Sequence, residues 1–148
     1  MKFNTFFIIF SFALLFLNKS MAQSWERTDM GYASTEIFET TTKYKFVFYN
    51  SKSFWNDNLG NYGKNKCKGS AKINEKNFFD GGEVFCESID QNKNKFIVLL
   101  SRDKGDFDSG IGFFQFIDGT GPWKKFIGKK CKYAIQYIDE GFMRIDKC

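Results

Sequence analysis

The chain has no histidine, a single proline, and 3 arginines against 19 lysines. Without histidine, the usual general base is gone, and so are the serine and cysteine triads built on it. The commonest metal ligand is gone too. Few arginines argue against nucleic-acid recognition, which favours bidentate guanidinium contacts and a concentrated basic stripe. Here lysine alternates with aspartate and glutamate along the chain, which reads as a solvated surface rather than an anion-binding face. No CxxC, GxGxxG, P-loop or HExxH pattern occurs. No cofactor, metal or nucleic-acid partner is therefore expected.

The one long apolar run lies at residues 6–17 (FFIIFSFALLFL), behind Lys2. Asn18-Lys19 ends it short of the ~20 residues a membrane span needs. Ser20-Met21-Ala22 then places small residues at a cleavage site. This is the secretory pattern. It predicts a signal peptide over 1–22, export to a periplasmic or extracellular compartment, and no stable membrane span after cleavage. Taking 22 residues from 148 leaves 126, the size of one domain.

Four cysteines in an exported chain are expected to pair, and three connectivities exist. Opposed residues of a hairpin average to the centre of its turn. Cys131 and Cys148 centre on Asp139-Glu140, with Gly141 suited to a short hairpin loop. Cys67 and Cys86 centre on the turn at 74–77. The register thus favours Cys67 with Cys86 and Cys131 with Cys148. Each closes a loop worth ~3 kcal/mol in the chain-entropy model. Redox or metal chemistry is the rival reading, and the dispersed spacing disfavours it.

Short alternating segments fill the rest. Residues 43–50 (KYKFVFYN) place Tyr44, Phe46 and Phe48 on one face and Val47 and Tyr49 on the other. Residues 53–57 form a second, weaker candidate strand. Strands are expected at 63–73, 78–88, 95–102, 111–117, 129–138 and 142–147, with a loop at 103–109 and a helical turn near 122–127. Regular short strands without a long amphipathic helix predict an all-β fold. The expectation is a single, mostly antiparallel eight-stranded β-barrel over 36–148, with a β-sandwich as the alternative. Residues 23–35 are expected to be an irregular N-terminal arm.

Three pieces of the chain carry a resemblance: Cys67-Lys68-Gly69, Gly81-Gly82 with Cys86 four residues on, and the run Gly119-Thr120-Gly121-Pro122-Trp123-Lys124-Lys125-Phe126-Ile127-Gly128. Over residues 63–148 the chain resembles small exported bacterial proteins with a lipocalin-like or allene-oxide-cyclase-like barrel. Cys67 and Cys86 resemble the pair those proteins carry. That group often has an acidic turn after the second cysteine. Here the turn reads Ile89-Asp90-Gln91-Asn92-Lys93-Asn94-Lys95, whose lysines disfavour calcium. The resemblance implies a barrel and leaves the chemistry open.

Aromatic residues make up 20% of the chain, and they supply the site candidates. Tyr44, Phe46 and Phe48 are expected to face inward, with Phe113 or Phe114 beside them and Trp55 or Trp123 near a rim. Such rings serve core packing, a lined apolar pocket, or an exposed surface for a partner. The ligand-binding set is therefore Tyr44, Phe46, Phe48, Trp55, Phe113 and Trp123. No catalytic residue is assigned. Glu36 with Glu39, or Glu83 with Glu87, would matter only if they met in a barrel mouth. The leading expectation is a non-enzymatic module for a small hydrophobic or amphipathic ligand. An isomerase- or cyclase-like enzyme and a cell-envelope interaction protein are the alternatives.

Overall fold

The computed structural model describes residues 24–41, 44–76, 78–102, 104–106 and 108–148. The expected signal peptide lies outside the described residues, as do the expected strand start at Lys43 and one turn residue, Asn77. In chain order the elements are β1 (Glu26–Glu39), β2 (Tyr44–Asp57), β3 (Tyr62–Asn74), β4 (Phe78–Asp90), β5 (Lys95–Ser101), β6 (Gly105–Asp106), β7 (Ser109–Gly119), the 3-10 turn η1 (Gly121–Phe126), β8 (Lys130–Ile138) and β9 (Gly141–Lys147). β1 pairs with β9 and β3 with β4, so eight antiparallel strands close into an up-and-down barrel. The two-residue β6 is an extra strand paired with β4 inside the expected loop.

Both disulfides form as the turn centres imply. Cys67 lies directly opposite Cys86, and Cys131 joins Cys148 one rung beyond the Lys132–Lys147 pair. Two expectations need correction. The irregular arm is strand from Glu26 onward, paired with β2 and, as far as Tyr32, with β9. The segment at 53–57 is the second half of one long β2.

Tyr44, Phe46 and Phe48 do not face inward. Phe46 is 41% and Phe48 52% exposed, whereas Val47 is buried. Lys72 sits over the Tyr44 ring at 4.1 Å on the same outer wall. The inner positions of β1 and β2 include Arg27, Asp29, Ser51 and Ser53, all buried. The missed β1 and the inverted face of β2 share this cause: much of the interior of these strands is polar, and their exterior carries aromatic rings. A rule that turns apolar faces inward picks the wrong side.

The barrel has two unlike ends. One is closed by η1 and by the turns after β2 and β4. Trp25, Trp55, Phe96, Phe116, Trp123 and Phe126 fill it, with ring centroids 4.4 Å apart for Phe96–Trp123 and 5.1 Å for Phe116–Phe126. Two matching turns hold this plug. Asp57 accepts the Trp25 indole N–H at 2.8 Å and the amides of Leu59 and Asn61. Asp90 accepts the Trp123 indole N–H at 2.9 Å and the amides of Asn92 and Asn94. The fourth residue of each turn is left-handed: Gly60 at φ 83° and Lys93 at φ 66°. Glycine adopts this without strain and lysine does not.

Candidate ligand cavity

Above the aromatic plug lies a charged layer built by the seam between the first and last strands. β1 carries Arg27-Thr28-Asp29 and β9 carries Arg144-Ile145-Asp146. Antiparallel pairing sets Arg27 opposite Asp146 and Asp29 opposite Arg144. Arg27 Nε donates to Asp146 at 2.7 Å and Arg144 Nη2 to Asp29 at 2.7 Å. Arg144 Nε also lies 3.0 Å from Asp146. Asn65 donates to Asp29, Ser88 to Asn65, and Arg27 to Ser88. The Arg27 guanidinium also stands 5.4 Å from the Phe96 ring centroid, tying the layer to the plug.

All four charged side chains are buried. Burial works to lower the Arg144 pKa, but Asp146 and Asp29 outweigh it and push it above the ordinary arginine range. Such pairs gain little net stability over apolar packing, because desolvation offsets their attraction. Their value here is register. A two-residue slip of β1 along β9 keeps every side chain on its face, yet sets Arg27 opposite Arg144 or Asp29 opposite Asp146. The barrel therefore closes in one register.

Beyond this layer, towards the other end, lies a cavity of about 70 Å³. It separates the main core from a second buried cluster of Val47, Ala71, Ile73 and Phe79. Arg144 and Cys67 line it on the side of the charged layer, Ala71, Val84, Leu100 and Ile135 form apolar wall, and Tyr49, Tyr133 and Tyr137 add hydroxyls. No carboxylate among the described residues lines it. Burial raises the Tyr137 phenol well above its ordinary range, with Tyr49 adding to the effect. Burial also raises Tyr133, against the pull of Arg102 and Arg144.

Tyr49 and Tyr137, in a T-shaped contact with centroids 6.4 Å apart, also border a second space outside. This groove of about 660 Å³ mixes the faces of Tyr32, Tyr49 and Tyr137 with polar side chains, Ser34, Thr35, Asn50, Asp108 and Glu140 among them. It lies where β1 runs on past its last rung with β9, the Tyr32–Gly141 pair.

None of the six residues proposed from sequence lines the cavity. Trp55 and Trp123 belong to the plug. Phe113 lies on the outer wall beneath Lys130, with Tyr44, Phe46 and Phe48 also outside. Phe114, the other option weighed for β7, is buried in the core. The glutamate pairs do not converge: Glu39 pairs with Lys45 and Glu87 with Lys95, while Glu36 and Glu83 are exposed. Tyr49, Tyr137 and Arg144 were missed. The alternation at 43–50 already set Val47 and Tyr49 on one face, but choosing that face required the charged seam.

No family model, curated protein or solved structure matches the chain.

Proposed function

We propose that this chain is an exported binding module for a small amphipathic molecule. The apolar end enters the cavity, and the polar end stays in the groove beyond Tyr49 and Tyr137. One observation carries this reading: the two tyrosines are shared walls of an apolar cavity and of a groove edged with polar side chains. Eight-stranded barrels have room for one small ligand. Two disulfides suit an oxidising compartment, and the signal pattern at 1–22 agrees, as does the resemblance to small exported bacterial barrels.

Size limits the ligand. A cavity of about 70 Å³ has room for roughly five waters at ~10–15 Å³ each, so a short alkyl tail or its equivalent fits. The test is native mass spectrometry of the protein purified from its own host. The expected result is a bound small amphiphile, released on denaturation and missing from Ala71→Leu, which fills the cavity. An Ala71→Leu variant that melts like the parent and keeps the same adduct places the molecule elsewhere and ends the proposal.

A further inference from the structure

The outer wall of the barrel holds a second feature, which lines no part of the cavity and meets the groove only at Tyr32 and Lys52. Inter-strand register aligns Met143 of β9, Met30 of β1, Phe54 of β2 and Lys64 of β3 in one row. The next row runs from Gly141 through Tyr32 and Lys52 to Lys66. Phe54 is 77% and Tyr32 74% exposed, with Met30 and Met143 about half exposed. Gly31 and Gly141 leave a depression of about 420 Å³ among these side chains. Beside this apolar strip, β3 projects Lys64, Lys66 and Lys68 to solvent at alternate positions. None of these three, nor Lys52, has an ion-pair partner among the described residues.

We propose that this wall docks on an anionic lipid surface. The exposed rings and methionines reach the headgroup–acyl boundary, and the lysine row meets the negative headgroups. Each half of the wall answers to one property of such a surface: apolar insertion to the first, diffuse negative charge to the second. A second copy of the chain is a poorer occupant, since an isologous contact brings two copies of a lysine-bearing wall together with no acidic row to meet them. A nucleic acid is poorer too, because the cations here are all lysines. Arg27 and Arg144 are buried, and Arg102 binds the Asp106 carbonyl at the cavity end. The lysines lie mid-strand, where charge on a lipid-facing wall is costly, so the barrel rests on the surface rather than crossing it.

The experiment is co-sedimentation with phosphatidylcholine vesicles with and without one-quarter phosphatidylglycerol. The expected result is binding to the anionic vesicles alone, weakening as salt rises. Lys64→Glu, Lys66→Glu and Lys68→Glu together should weaken it by more than ~100-fold, the loss expected from neutralising three lysines alone. Met30→Ser with Phe54→Ser should also weaken it, leaving the salt dependence in place. Lys124→Glu, Lys125→Glu and Lys129→Glu make the same change in net charge at the closed end and should leave most binding intact. Circular dichroism checks folding, and the lysine-to-glutamine set replaces the reversals if they do not fold. The proposal fails if anionic vesicles are not bound, or if the closed-end set costs as much as the wall set. It also fails if the protein binds soluble polyphosphate as tightly as vesicles and Met30→Ser with Phe54→Ser changes neither.

Discussion

The closed and open ends of this barrel share the same strands but differ in what lies between them. At the closed end six aromatic side chains pack together, and Asp57 and Asp90 fix Trp25 and Trp123 through their indole N–H groups. At the open end smaller side chains and three tyrosines surround a cavity. Tightly filled regions resist change, while sparsely packed ones open locally at lower cost. The closed end is the anchor, and the open end holds the space that our proposal gives to a ligand. The charged layer between them belongs to the anchor, because it sets the register of the closing seam.

The sharpest way to break this division is to unpair the layer. Arg27→Met leaves Asp146 without its main partner and should cost ~3–5 kcal/mol, read as the fall in unfolding free energy in denaturant. Exchanging both rungs, Arg27→Asp and Asp29→Arg with Arg144→Asp and Asp146→Arg, should recover part of that loss, since each rung again joins opposite charges and neighbours along each strand stay unlike. Equal losses for the single and the exchanged variants contradict the register role.

The next effect compares packing at the two ends. Trp123→Ala empties the centre of the plug and should cost ~3–5 kcal/mol. Leu100→Ala enlarges a space that already exists and should fall near the lower limit for such truncations, ~2 kcal/mol. A larger loss for Leu100→Ala than for Trp123→Ala reverses the assignment of anchor and open end.

Alkali separates the ends by chemistry. Burial holds Tyr133 and Tyr137 above the ordinary tyrosine range in the folded chain. Unfolded tyrosine ionises near pH ~10. Their contribution is therefore complete below that pH and is lost as pH rises towards the higher folded values. Hydrogen exchange above pH ~10 should rise first in β8 around Tyr137 and later in β5 around Phe96. Simultaneous loss of protection removes the contrast. The smallest effect concerns Lys93. Lys93→Gly relieves a left-handed φ of 66° but adds freedom to the unfolded chain, for a net gain of ~0.5–1 kcal/mol.

Much of the architecture could be read from residue spacing. Period-two alternation located β3 to β5 and β7 to β9, and the cysteine averages landed on the observed Cys67–Cys86 rung. The inner face of β1 and β2 was not legible. Arg27 and Asp29 look like surface residues until Arg144 and Asp146, more than a hundred positions later, are paired beside them. That long-range match also decides which face of β2 turns inward. It is why Tyr49 lines the cavity while Phe46 and Phe48 stand outside. The two R-x-D triplets were visible in the sequence, but their meaning depends on closure of the barrel.

The most direct measurement is a methyl NMR titration with n-hexanol, following Val47, Val84, Leu100 and Ile135 around the cavity and Val98 in the main core. Saturable shifts at the first four, little change at Val98, and loss of the effect in Ala71→Leu are the outcome expected of an open end that takes an apolar tail. Shifts confined to outer-wall residues such as Ile111 and Ile145, or unchanged by Ala71→Leu, would contradict it.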